Sequence, residues 1–506
     1  MLFSTRLIKL SAILLVFCGC STTTDVPLPL TSTSTEAVEL YNEAYYYYQQ
    51  SEAVEAIGLF EKALALDPAM VLANLYIPET DPNKRKMYRD RAIANKNKGS
   101  EAEKILVDIY IANRDGRLID RINLANNLVK AYPSSSQAHV HLGFAYTSVQ
   151  DFDNAIKEYN KALSINPKEY RAWVGLAFHQ VNVGNNILLP KKQQTKKLAV
   201  KYTDGMVKTR PNSPFSYQLR ANVERQYGDF DKGKSYYQKM VDVAAEQSSS
   251  MRGSAHNVFA HNYLFSGDGQ SARENYDLAI SLAKRPIAVV NLSFYKLGSY
   301  LFQNDYDGAL RVAQELDDTI DALGFTDASL NQQRARLEFM RFISFSLNQE
   351  KEKAYEALMR RQNYAAEGMR LMDVDEVRQR DFDSFNHQMQ AWYYILFGEY
   401  DRAKEPLNKL YQIVSEIDNP NALNNYNGLS GMVQLFSGNA SGSLSFFTEN
   451  INPENYQYYS YFKALALRAA GKEQEAKEIF TYLANYNFNS WEAAMVRSLA
   501  KERLNS

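Results

Sequence analysis

The chain has 506 residues, 45% of them apolar and 23% charged, with a formal net charge of −1. That composition excludes disorder over the whole chain, and the near-neutral balance offers no basic excess for nucleic acid. The length exceeds one compact core, so the chain is divided among several globular domains or strung along a repeat array.

Both cysteines, Cys18 and Cys20, fall within the first twenty residues. The remainder therefore holds no disulfide, no Cys-ligated zinc and no thiol nucleophile. Arg6 and Lys9 form a positive start, and Leu10 to Phe17 form an apolar run too short to span a bilayer. Phe17-Cys18-Gly19-Cys20 follows. This resembles a bacterial lipobox, in which a small residue precedes the cysteine that is acylated. The resemblance makes residues 1–19 a signal peptide and Cys20 the lipidated N-terminus of a Gram-negative lipoprotein. It departs from the usual pattern at Phe17, where leucine is commoner. Residues 20–35, rich in Ser and Thr, read as a flexible tether. Ser21 after the cysteine implies a lipid-anchored envelope protein at the outer rather than the inner membrane.

Periodicity is the strongest signal. Ala56, Phe60, Ala63 and Pro68 recur a hundred residues later as Ala155, Tyr159, Ala162 and Pro167, with the same spacings. A companion segment carries Gly143 and Tyr146. Small residues let two antiparallel helices approach, aromatics fill the gap to the next pair, and proline ends the second helix for want of an N–H donor. Weaker copies follow, among them Ala272, Tyr276 and Ala279, then Ala476, Phe480 and Leu483. The pattern resembles the tetratricopeptide repeat (TPR), with a period of about 34 residues. The resemblance implies an all-α superhelix, an α-solenoid of roughly ten to twelve helix-turn-helix units over 36–488, best defined at 36–68 and 136–167. Residues 489–506 read as a capping helix. Register breaks fall in a degenerate unit at 69–100, an inserted loop at 184–198 and an extra charged connection at 362–383.

No catalytic constellation appears, so the chain does not read as an enzyme. Gly228 to Ser235 satisfies G-x-x-x-x-G-K-S, the phosphate-cradling P-loop. A true P-loop follows a β-strand, whereas Phe215 to Gln226 reads as helix; the match is taken as chance and no nucleotide is expected. His139 and His141 point to different faces of one helix, and His256 and His261 are a poor pair for one metal. No metal or other cofactor is expected.

In TPR proteins one stripe of each first helix lines a concave groove. Tyr41, Tyr45 and Tyr48 occupy that stripe at helical spacing, as do Val140 and Phe144, then Val174 and Phe178. The groove so formed is apolar and aromatic, suited to a protein or peptide partner. The expected function is a membrane-anchored adaptor binding such a partner. The alternative is a carbohydrate-capturing outer-membrane lipoprotein of TPR-like helical fold, stacking sugars on exposed aromatics.

Overall fold

The structure, a computed structural model, describes residues 24–505 apart from 185, 248 and 373. Cys20 and the expected signal peptide lie outside the described residues. All regular secondary structure among the described residues is helical, arranged as twelve consecutive antiparallel pairs and a closing helix. The first six pairs are α1 (Thr35–Tyr48) with α2 (Ala53–Leu66), α3 (Val71–Tyr76) with α4 (Pro82–Asn95), α5 (Glu101–Arg114) with α6 (Leu118–Ala131), α7 (Ser136–Ser148) with α8 (Phe152–Ile165), α9 (Tyr170–Phe178) with α10 (Lys196–Thr209), and α11 (Pro214–Gln226) with α12 (Phe230–Ala245). The second six are α13 (Ser249–Ser266) with α14 (Gly269–Leu282), α15 (Pro286–Leu301) with α16 (Tyr306–Ile320), α17 (Asp327–Leu347) with α18 (Lys351–Arg370), α19 (Glu376–Leu396) with α20 (Tyr400–Val414), α21 (Asn424–Phe436) with α22 (Ala440–Leu444), and α23 (Gln457–Ala469) with α24 (Glu473–Ala484). Helix α25 (Trp491–Asn505) packs on α23 and α24.

One turn is repeated through the array. Between the helices of ten pairs a single residue adopts the left-handed conformation: Ser51, Gly116, Gln150, Gly228, Gly267, Asn304, Gln349, Gly398, Gly438 and Gly471. The N–H of the residue after each bonds the carbonyl five positions back, as Asp151 does to Tyr146 and Lys472 to Leu467. This satisfies a carbonyl that the ending helix leaves bare. Asp151, Asp229, Asp268 and Asp305 stand at that next position and cap the following helix through their carboxylates. The same short stretch thus ends one helix and starts its partner.

Packing explains the small and aromatic positions. Ala56, Phe60, Ala63, Ala155, Tyr159 and Ala162 are all fully buried. A Cβ on Gly143 of α7 would lie 2.5 Å from the Tyr159 ring, and one on Gly175 of α9 would lie equally close. Tyr159 is therefore held between two glycines of successive pairs, which only bare backbone permits. Tyr146 is half-buried beside it. Helices α2 and α8 stop just before Pro68 and Pro167.

Two features differ from the sequence expectation. Residues 362–383 are not an extra connection: α18 and α19 are long, and only 371–375 lie between them. From Asp25 onward, the stretch expected as a flexible tether is a fixed strap. The Asp25 carboxylate accepts from the Ser136 N–H, the Ser136 hydroxyl and Asn166, each at 2.8 Å. Ser100 bonds Pro29 and Thr31, and Asp67 accepts from Ser32 and Thr33.

The array winds into two coils, and the second rests on the first. The Thr326 hydroxyl donates to Asp81 at 2.5 Å, and Arg285 donates to Thr80 at 2.7 Å. Further along, Gln150 donates to Asn421 at 3.3 Å and the Leu188 N–H to Asn455 at 2.9 Å. Each contact joins pairs about seven apart, which sets the pairs per coil. The 184–198 insertion belongs to this closure: besides Leu188, the Lys191 N–H bonds the Glu454 carboxylate.

Candidate binding surface

The groove residues of the sequence reading lie on the first helices of their pairs and come together only in part. Tyr41 is buried and stacks on Tyr45 at 5.7 Å, with its edge partner Phe60 beneath. Tyr45 stacks in turn on Tyr48 and lies 5.3 Å from Tyr76. Val140 and Val174 are buried in the cluster around Tyr159. Phe144 is half-buried against the same ring, while Phe178 turns away to meet Phe215. The stripe therefore splits into a tyrosine stack on α1 and a separate apolar patch on α7 and α9.

Arginines not singled out in the sequence reading join these parts. The Arg171 guanidinium donates to the Tyr45 hydroxyl at 2.9 Å and lies 4.9 Å from the Phe144 ring. Arg89 donates to the carbonyls of Asn74 and Ile77 at 2.6 and 3.0 Å and lies 5.8 Å from the Tyr110 ring. Arg121 donates to Asn113 at 2.7 Å, and its Nε is buried without a partner. Between Arg121 and Arg171, burial and then the two positive charges push His141 down to about 3. A signal for Arg171 existed: it precedes Val174 by three residues and so lies on the same helical stripe.

Further along the inner face the groove is occupied by the chain itself. Residues 485–490, the turn and loop between α24 and α25, lie against residues of α11, α13, α14 and α15. Asn487 donates to the Arg225 carbonyl at 3.2 Å. Asn489 donates to the Tyr276 hydroxyl and the Tyr295 carbonyl, both at 2.9 Å. Phe488 packs edge-on to His261 and beside the Arg225 guanidinium, and Asn182 donates to the Tyr486 hydroxyl. No periodicity marks this segment in the sequence. Beside it a cleft of about 740 Å³ opens between the insertion and the last pair, lined by Lys191, Lys477, Glu454, Tyr482 and Tyr486. Lys191, Lys192, Arg225 and Lys477 outnumber Glu454 and Glu478 in its lining, and the Lys191 ammonium lies over the Tyr227 and Tyr482 rings.

The remaining motifs are held in the packing. Gly228 lies in a helix-to-helix turn after α11 rather than after a strand. Lys232 pairs with the buried Glu224 at 3.0 Å, and Lys234 lies over the Tyr263 ring. His139 bonds Glu158 at 2.6 Å, and His256 bonds Asn275 at 3.0 Å. Among the described residues, no group of three or more His, Cys, Asp or Glu is placed to hold a metal ion. Among them too, no helix is long and apolar enough to cross a membrane.

A family model described as tetratricopeptide repeat matches residues 136–169, which are α7, α8 and the turn beyond them. The fold is an all-α solenoid of tandem helix pairs, TPR-like in architecture. No curated protein matches it. Among solved structures, a tetratricopeptide repeat protein from Parabacteroides merdae is 12% identical, with 61% of this chain and 99% of that one covered at a TM-score of 0.32. A Rap protein in complex with the competence and sporulation factor is 13% identical, with 76% and 98% covered at a TM-score of 0.35. A MamA double mutant is 18% identical, with 36% and 95% covered at a TM-score of 0.28.

Proposed function

We propose that this chain is an adaptor that receives an extended segment of a protein partner on its inner face, and that lipid on Cys20 holds it at the cell envelope. The observation that supports the binding role is the chain's own segment 485–490, seated on α11, α14 and α15 through side-chain hydrogen bonds. A surface that holds a loop of its own chain through side-chain hydrogen bonds is suited to hold a segment of another. Fold alone would not carry the reading, since solenoids host many functions. The glycan alternative gains no observation of its own, because Tyr41, Tyr45 and Tyr48 stack on one another.

The anchor reading rests on the lipobox resemblance. The fixed strap adds a consequence: Cys20 stands five residues before Asp25, which is bonded to Ser136 and Asn166. At about 3.5 Å per residue the lipid reaches no more than ~18 Å from the α7 end of the solenoid. Cys20→Ser is expected to move the protein from the membrane fraction to the soluble fraction; retention in the membrane would remove the anchor.

The binding role is tested by photo-crosslinking in intact envelopes. A photoreactive residue at Tyr48 or Phe178 is expected to yield one protein adduct of fixed size. The same residue at Leu66 or Leu278, exposed on second helices, is expected to yield none. Adducts only from the outer positions, or from none, would overturn the inner-face reading.

A further inference from the structure

The cleft between the 184–198 insertion and α24 is a cavity of about 740 Å³ where the two coils meet. Arg225 of α11 stands at its floor and is 1% exposed. The Arg225 guanidinium lies 5.5 Å from the Phe488 ring and 5.9 Å from the Tyr237 ring. Its Nε and Nη1 have no hydrogen-bond partner among the described residues. Glu224, its neighbour in sequence, is already held by Lys196, Arg220 and Lys232 at 2.6, 2.7 and 3.0 Å. A charge taken out of water without a counter-ion is costly to keep, and an anion within reach offsets that cost.

The rim is cationic too. Lys191 and Lys192 stand on it from the insertion and Lys477 from α24, all three exposed. Among the described residues, none of them has a carboxylate within ion-pairing distance. The two carboxylates of the lining are bonded to neutral donors instead. Glu454 accepts from the Lys191 N–H, and Glu478 accepts from the Gln474 amide at 3.0 Å. The Lys191 ammonium lies on aromatic faces, 5.0 Å from the Tyr227 ring and 5.7 Å from the Tyr482 ring. Tyr486 and Ile479 add ring and hydrocarbon surface to the same cavity.

We propose that this cleft is a binding site for a small organic anion. A flat apolar body rests against Tyr482, Tyr486 and Ile479, and a carboxylate or phosphate group lies among Arg225, Lys191 and Lys477. Size decides against an inorganic ion, since about 740 Å³ falls within the range of organic-ligand sites, roughly 300–1,000 Å³. The two glutamates of the lining select against a polyanion, so the head group carries one or two charges. Lys191 and Arg225 belong to the first coil and Lys477 to the second, so the bound anion also ties the coils together. The site does not draw on the tyrosine stack of α1, and it stands whether or not the adaptor reading does.

The test uses the full chain carrying Cys20→Ser and isothermal titration calorimetry. The probes are 2-naphthyl phosphate and 2-naphthoate. The controls are 2-naphthalenemethanol, the body without the charge, and inorganic phosphate, the charge without the body. At least one anionic naphthyl probe is expected to bind at a single site, weakening as salt rises, and both controls to bind at least about tenfold less tightly. The tighter of the two anions identifies the head group. Lys191→Gln and Lys477→Gln, whose exposed side chains hold little of the fold, are each expected to weaken that probe about threefold. Lys161→Gln, exposed on α8 outside the cleft, is expected to leave it unchanged. Arg225→Met is expected to abolish binding; its fold is checked by circular dichroism, and the lysine variants decide the matter if it unfolds. No binding of either anion, equal binding of the alcohol or of inorganic phosphate, or full affinity in both lysine variants would each overturn the proposal.

Discussion

The Arg171 guanidinium on α9 donates to the Tyr45 hydroxyl on α1 at 2.9 Å, joining residues 126 apart in sequence. This bond spans the inner face between the first pair and the fifth. A hydrogen bond to a charged donor contributes about 1.5–3 kcal/mol, less where solvent reaches it. Tyr45→Phe is therefore expected to cost about 1 kcal/mol. In a double-mutant cycle with Arg171→Gln, measured by urea unfolding, the pair is expected to couple by about 1 kcal/mol. Additive losses would show that the contact does not couple the two pairs.

Tyr159 is held between Gly143 and Gly175, where a Cβ on either would lie 2.5 Å from the ring. Gly143→Ala is expected to cost about 1–3 kcal/mol by overpacking. Tyr159→Leu, which shortens the side chain, should return part of that loss when combined with it. Thermal unfolding of the two single variants and the double reads this directly, and a double variant no better than the sum would contradict the geometry.

Phe488 and Asn489 fasten the 485–490 segment to the inner face. Phe488→Ala is expected to cost about 3 kcal/mol and to open the segment to protease, while circular dichroism at 222 nm stays near the wild-type value. Cleavage within 485–490 at the wild-type rate would mean that the segment is not held there in solution.

Acid is expected to destabilise the molecule through His179. Burial pushes its folded value down to about 4, against about 6.5 in the unfolded chain. Between those values the unfolded state binds the proton and the folded state does not. Stability is thus fully present above about pH 6.5 and falls as pH drops toward 4, by at most about 1.4 kcal/mol per pH unit from this group. His179→Gln, which can still meet the Thr147 hydroxyl, should flatten that part of the profile. Urea midpoints at pH 7, 5.5 and 4.5 check it, and an unchanged slope would reject His179 as the source.

The repeat pairs were legible because their determinants are local. Ala155 and Tyr159 sit one helical turn apart, Asn166-Pro167 stops the helix, and these relations lie within a few residues. The charged stretch 362–383 misled because α18 and α19 are too polar there to show a clear apolar period; Gly368 is one of the few buried residues in the last turns of α18. The stripe Tyr41, Tyr45, Tyr48 showed as a helical period, yet an apolar pattern could not show that Arg171 reaches Tyr45. The strap, the 485–490 seat and the contact between coils arise from pairs separated by tens to hundreds of residues, such as Asp25 with Asn166 and Asn489 with Tyr276. One sequence carries no period for such contacts.

Stacking the second coil on the first changes what kind of polymer this is. An open solenoid frays from its ends, each pair melting with only its neighbours as support. Here Asp81 is tied to Thr326, Gln150 to Asn421 and Leu188 to Asn455, so an early pair loses a distant partner as soon as a late one opens. Melting of the C-terminal pairs propagates sideways as well as along the chain. During synthesis the first coil must likewise wait, its upper edge uncovered, until nearly the whole polypeptide has emerged.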